Sequence, residues 1–126
     1  MTTPAYIQAR RELAQLRHDS RKAFASVDAL VTPAMPTPPR TIMEASADDP
    51  ATRPPDLRNL GPFNINGLPS ISIPCGFTSA GLPIGLQISG PPGGETLVLQ
   101  LAYAYEQATD WHKRRPPILT GGQSRT

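Results

Sequence analysis

Serine and lysine side chains are the groups in this chain that could support nucleophilic hydrolysis. A serine hydroxyl is a weak nucleophile until a base removes its proton, and a lysine can be that base only where burial lowers its pKa. The two lysines, Lys22 and Lys113, both stand beside arginines in charged stretches. Ser70 and Ser72 lie in an apolar run with no base nearby in the sequence. We therefore assign no catalytic residue in this chain and interpret both serines as strand residues rather than nucleophiles.

Cysteine and histidine are equally sparse. Cys75 is the single cysteine, so an internal disulfide is excluded. It lies between Pro74 and Gly76, and we interpret it as a small buried residue at a strand end rather than a reactive thiol. His18 and His112 are isolated on predicted helices, without a cysteine or carboxylate at ligand spacing, so we predict no metal site.

Two short apolar runs, 70–77 and 84–89, organise the rest of the chain, and a turn containing Gly81 joins them. Apolar and polar residues alternate in both runs, which predicts an antiparallel hairpin over 70–89. Because proline cannot donate a ladder hydrogen bond, we expect Pro74 and Pro83 at strand ends or bulges. A lone hairpin is marginally stable in water, so these strands should belong to a larger sheet.

The remaining segments divide at prolines and glycines. An apolar stripe through Tyr6, Leu13 and Leu16, after Thr3-Pro4, is typical of a helix. A second stripe through Leu97, Leu101 and Tyr105 indicates another helix, which Pro116-Pro117 ends. The region between Pro33 and the hairpin is rich in proline and has no clear periodicity. The predicted segments are a helix over 4–26, a strand over 29–32, a loop over 33–66, the hairpin over 70–89, a helix over 95–110 and a tail over 117–126.

Composition limits what the chain can be on its own. It has 126 residues, of which 38% are hydrophobic and 16 are proline, which fits part of a larger fold better than an autonomous unit. The net charge is +2, and the basic residues of the first helix have no interleaved aromatics, so we predict a solvated helix face and no nucleic-acid partner. There is no apolar stretch of membrane-spanning length and no signal peptide, so we predict no membrane partner and, by default, a cytoplasmic location.

Three closely spaced elements resemble one known family. They are Asn64-x-x-Gly67-Leu68-Pro69, Pro74-Cys75-Gly76 and Gly81-Leu82-Pro83-x-Gly85-Leu86-Gln87. In this order they resemble the C-terminal part of the amidase signature family of serine amidohydrolases. The flanking segments 24–36 and 95–108 agree with this resemblance, which runs from about Tyr6 to Pro117.

The resemblance implies an α/β fold, namely the C-terminal fragment of the mixed-sheet amidase domain, over residues 1–126. Family members cleave carboxylic amide C–N bonds with a serine, a second serine and a buried lysine, and they use neither metal nor cofactor. The positions that would hold those three residues are absent here, so the resemblance implies a chain that is catalytically incomplete alone. It also makes Arg58, Asn59 and Asn64 candidates for substrate binding, because they precede the hairpin in the segment that approaches the family's pocket.

Whether the chain acts as an enzyme therefore stays open at the level of the sequence. In the first hypothesis it is part of an amide hydrolase, and a small-molecule amide binds only to the complete enzyme. In the alternative it is a noncatalytic module that pairs with a separately encoded N-terminal half or self-associates, since unpaired strand edges favour pairing.

Overall fold

The computed structural model describes residues 1–47 and 58–115. The predicted tail over 117–126 and the middle of the predicted loop lie outside the described residues. Four α-helices, three strands and two 3-10 turns make up the described parts. In chain order they are α1 (Thr3–Asp19), a 3-10 turn (Ser20–Phe24), β1 (Leu30–Pro33), α2 (Ile42–Ala47), α3 (Gly61–Asn66), β2 (Ser70–Phe77), β3 (Pro83–Ser89), α4 (Glu95–Ala108) and a 3-10 turn (Trp111–Lys113).

The strands form one antiparallel sheet in the order β1-β3-β2, with β3 in the centre. The hairpin register pairs Ser70 with Ser89 and Ile73 with Leu86, and it shifts between Pro74 and Gly76. Pro83 opens β3. Both prolines therefore lie at a bulge or a strand end, as predicted, because neither can donate to the ladder.

One face of the sheet and α4 enclose the core. Ile73, Ile88 and Ala102 form a buried cluster, with relative exposures of 5%, 4% and 4%. Ile71 and Leu86 pack against this cluster from the strands, as the alternating pattern requires. The core is small, since it draws on one face of β2 and β3, one stripe of α4 and Ala29 just before β1.

The predicted structureless loop over 33–66 is wrong where the structure describes it, because two short helices lie within it. Thr41 and Glu44 form a capping box at the start of α2: the Glu44 N–H donates to Thr41 Oγ1 at 3.2 Å, and the Thr41 N–H donates to the Glu44 carboxylate at 2.8 Å. Helix α3 has proline in its first turn and ends at Gly67, whose φ of 66° is left-handed. Caps define both helices, which are too short to show hydrophobic periodicity.

The predicted helix over 4–26 is two elements, because the α-helical hydrogen bonding ends at Asp19 and a 3-10 turn continues to Phe24. No residue of α1 is buried. Two residues of the apolar stripe are exposed instead, Tyr6 at 50% and Leu16 at 57%, and Leu13 is half-buried. A hydrogen bond of 3.0 Å from Arg17 Nε to the Ile65 carbonyl joins α1 to α3. In the described chain, therefore, α1 contacts α3 but buries none of its residues fully.

The capping box makes the stability of α2 sensitive to pH. Hydrogen bonds from the Thr41 N–H and then from its hydroxyl hold the pKa of the Glu44 carboxyl below its ordinary value. The carboxylate therefore stabilises α2 fully above the pKa of an unperturbed glutamate, about 4.3, and this stabilisation is lost as the pH falls through the lower folded pKa. Alanine at 41 keeps the backbone N–H and loses only the hydroxyl, so in Thr41→Ala we expect the Glu44 pKa to rise part of the way towards the unperturbed value, measured by carboxyl-carbon NMR. Thr41→Ser is the matched control, and an ordinary Glu44 pKa in the parent chain would contradict the prediction.

Candidate functional site

The sheet face that points away from the core carries polar side chains. The register places Ser70 opposite Ser89, and Thr32 and Ser72 on either side of Gln87. We call these five residues the polar face. Gln87 and Ser89 are 2% and 0% exposed. Buried polar groups are costly unless they are hydrogen-bonded, so their partners decide what this face does.

Hydrogen bonds tie the polar face to a turn at 58–60. Gln87 Nε2 donates to the Asn59 carbonyl at 3.0 Å and lies 3.4 Å from Ser89 Oγ. The hydroxyls of Ser70 and Ser89 are 2.8 Å apart. Asn59 Nδ2 in turn donates to the Pro33 carbonyl at 2.9 Å. The turn is therefore held at once to the end of β1 and to the central strand, and we call the two hydrogen bonds made by Asn59 the Asn59 brace.

The polar face contains hydroxyl and amide groups, which donate and accept hydrogen bonds but do not act as bases near neutral pH. Ser70 Oγ contacts the Ser89 hydroxyl and, at 3.4 Å, the Leu68 carbonyl. Lys22 and Lys113 are 77% and 67% exposed, and each forms an ion pair with an aspartate three residues before it. Neither lysine has the burial that lets this side chain serve as a base for the serines.

The three predicted substrate-binding residues differ in exposure and in hydrogen bonding. Arg58 is exposed at the start of the 58–60 turn, next to Asn59. Asn59 is half-buried, and its side chain belongs to the brace. Asn64 is exposed on α3, and the hydrogen bonds described for it come from its backbone. The side chain that fastens α3 is that of Asn66, whose Nδ2 donates to the Pro62 carbonyl at 2.7 Å.

Gln87 is a polar-face residue that was not among the site residues expected from the sequence. Its signal was present: it is the one long polar side chain in the apolar run 84–89, and the period of two places it on the face opposite Leu86. The partner that explains it, the Asn59 carbonyl, lies 28 residues away in the chain. Local pattern alone therefore could not have found this contact.

Removing the Asn59 side chain should loosen the turn at modest cost. In Asn59→Ala the Pro33 carbonyl loses its donor, but Pro33 is exposed and water can replace it. We expect the free energy of unfolding to fall by about 0.5–1.5 kcal/mol, the net value of an ordinary hydrogen bond. Urea unfolding measures the loss, and hydrogen exchange should show faster exchange at 58–60. Asn64→Ala, with no side-chain bond described, is the control, and an equal loss in both variants would contradict this role for Asn59.

The far end of the hairpin carries an aromatic cluster. The rings of Phe77 and Trp111 are tilted by 51° with centroids 6.1 Å apart, and the Arg114 guanidinium lies 3.9 Å from the Phe77 centroid. These contacts pack the 3-10 turn after α4 and Arg114 against β2. Cys75, next to the bulge, is half-buried and free of any disulfide.

The described ranges 1–47 and 58–115 contain neither a metal-binding cluster of side chains nor a membrane-spanning helix. No group of three or more histidine, cysteine, aspartate or glutamate side chains there could hold a metal ion. No helix in the same residues is both long enough and apolar enough to cross a membrane.

Comparison with known proteins identifies the family to which this chain belongs. The model of the amidase family matches residues 1–99, most of the chain. The chain belongs to the amidase family. A glutamyl-tRNA(Gln) amidotransferase subunit from Synechococcus sp. (strain JA-2-3B'a(2-13)) is 49% identical over 114 residues, which cover 90% of this chain and 22% of that protein.

Solved structures of the amidase type agree with this assignment. The 6-aminohexanoate cyclic dimer hydrolase superposes with a TM-score of 0.80 and 34% identity, over 94% of this chain and 27% of that one. The corresponding glutamyl-tRNA(Gln) amidotransferase subunit from Thermotoga maritima superposes with a TM-score of 0.67 and 29% identity, over 82% and 22%. The chain thus spans about a quarter of the length of its relatives. The amidase resemblance and the fold class expected from the sequence, a fragment of the mixed helix and strand fold of amidases, are confirmed.

Proposed function

We propose that this chain supplies part of an amide hydrolase that acts on carboxylic amide C–N bonds. In this proposal it contributes strands, covering helices and one wall of the substrate pocket, while amidase-family sequence outside these 126 residues provides the nucleophile and the base. The observation that carries it is the superposition of 94% of the chain on an enzyme named as a hydrolase. The exposed, ion-paired lysines support the second part, because neither of them offers a buried base.

The three residues of the 58–66 region have distinct parts in the proposal. The exposed guanidinium of Arg58 contacts the substrate, since a charged donor at the surface of a fixed turn is available to a ligand. The Asn59 brace keeps that turn in place. Asn64, exposed on α3, contributes from the neighbouring surface.

Ammonia release tests the proposal. The purified 126-residue chain and the same chain mixed with an amidase N-terminal segment are assayed against aliphatic and aromatic amides. We expect no release by the chain alone and release by the mixture, with none when the nucleophilic serine of the added segment is replaced by alanine. Turnover by the chain alone would overturn the proposal and make Ser70, Ser72 and Cys75 the candidates for the nucleophile.

The second candidate function is a noncatalytic module that associates with a separately encoded half or with itself. The unburied apolar stripe of α1 supports it, because exposed apolar side chains favour association. Some relatives are named as subunits, which also supports association with a partner. Analytical ultracentrifugation with the N-terminal segment separates the two: a stable complex without ammonia release favours the module, and a complex with release favours the hydrolase. A cytoplasmic location is part of both proposals, and cell fractionation tests it.

A further inference from the structure

A small apolar groove lies beside the hairpin. Its volume is about 250 Å³, and its walls are the proline-rich segment after β1 and the start of β3. Four prolines (36, 38, 39 and 83), Met35 and Ile84 form most of the lining. We call this feature the proline groove.

The walls of the proline groove are anchored. The Ala34 N–H donates to the Gly85 carbonyl at 2.8 Å and so fixes the proline-rich segment to β3. On the other wall, hydrogen bonds between Thr78 and Leu82 close the hairpin turn: the Thr78 N–H donates to the Leu82 carbonyl at 2.8 Å, and the Leu82 N–H donates to Thr78 Oγ1 at 3.1 Å. One wall is therefore hydrogen-bonded to β3 at its start, and the other belongs to the closed hairpin turn.

The lining is apolar, and its side chains would lose little conformational entropy on ligand binding. Proline side chains lose almost no conformational entropy when they are buried, so a ligand that contacts them imposes only a small ordering cost. Met35 and Ile84 remain 44% and 41% exposed, which leaves apolar surface that a ligand could cover. The lining contains two threonines and no charged residue. A charged ligand would therefore lose water without gaining a partner, whereas an alkyl chain would not.

Gly85 connects the groove to the polar face. A Cβ atom there would lie 2.8 Å from Ser72 Oγ and 3.0 Å from the Ala34 side chain, so the Ser72 hydroxyl and the Ala34 methyl group both lie close over this glycine. Because Gly85 lines the groove and lies beside the Ser72 hydroxyl, an uncharged polar head group at that end of the groove would have a hydrogen-bonding partner.

We propose that the proline groove is a subsite for the aliphatic chain of an uncharged amide; the amide head group rests on the proposed function. The groove is smaller than pockets for drug-sized ligands, which measure roughly 300–1,000 Å³, so it suits a short chain. Each methylene that enters it should strengthen binding by about two- to fourfold.

Binding to the 126-residue chain is measured directly by NMR titration with acetamide, butanamide and hexanamide. We expect affinity to rise along this series, with chemical-shift changes centred on 35–39, 78 and 83–85. Ile84→Asp should weaken hexanamide binding at least tenfold. Leu82→Asp is the matched control, because Leu82 is 40% exposed, two residues away and outside the lining, and it should bind as the parent chain does.

Any of three results would overturn the proposed subsite: equal affinity for the three amides, chemical-shift changes elsewhere in the chain, or equal effects of the two aspartate variants. The ammonia-release assay is read separately. Hexanamide binding without hydrolysis by the assembled protein would count against the proposed function alone, and hydrolysis without binding in the groove would count against the subsite alone.

Discussion

Replacing Ile88 with alanine should lower the free energy of unfolding of this chain by about 2–5 kcal/mol, the range for truncating a large buried aliphatic side chain. Ile88 is 4% exposed on the central strand and belongs to the cluster with Ile73 and Ala102. The loss should fall high in this range, because so small a core has few neighbours that could move into the cavity. Urea unfolding followed by circular dichroism measures it.

Ile84→Ala is the matched control for this experiment. It changes the same residue type on the same strand, but Ile84 is 41% exposed. We expect a loss of about 1 kcal/mol or less, since partly exposed side chains leave little cavity. Comparable losses in the two variants would show that the cluster under α4 is not the main source of stability.

A methyl group at Gly90 should also destabilise the fold, by about 1–3 kcal/mol from overpacking. Gly90 follows β3 and is buried under the first turn of α4. A Cβ there would lie 2.8 Å from Val98 Cγ2 and 3.2 Å from the Gly94 carbonyl oxygen, closer than side chains normally approach. The end of β3 and α4 would have to separate, at the point where α4 begins to cover the core.

A double-mutant cycle tests whether this clash is the cause. Val98→Ala removes the atom that Gly90→Ala would strike, so the double variant should be more stable than the sum of the single losses predicts, by about 1 kcal/mol or more. Gly61→Ala is the control glycine, because a Cβ there meets nothing within 4 Å. Additive losses at 90 and 98 would mean that Val98 is not the group displaced.

The hairpin and the helix that covers it could be predicted from the sequence for local reasons. Alternation with period two defines β2 and β3, and glycine and proline mark their ends. The stripe through Leu97 and Tyr105 indicates α4, which runs from Glu95 to Ala108. The family resemblance rests on the same stretch, since its three motif elements lie before β2, at the bulge in β2, and in the turn and β3.

Other features lie in contacts between residues distant in the chain. The Asn59 brace joins Pro33, Asn59 and Gln87, and no local pattern indicates that these three meet. The same holds for α1: its stripe predicts a buried face, yet the described chain leaves Leu16 more than half exposed. An apolar stripe shows which face a helix could bury. Only the tertiary structure decides whether another element packs against that face.

The sequence by itself thus determined the family, the hairpin and the helix that follows it, because residue types and short periods carry that information. The tertiary structure decided the arrangement of strands, the two short capped helices, the burial of Gln87 and Ser89 on the polar face and the proline groove. The physical reason is that these features depend on backbone caps and on long-range hydrogen bonds, such as the bond from Ala34 to Gly85, which form only once the strands have paired.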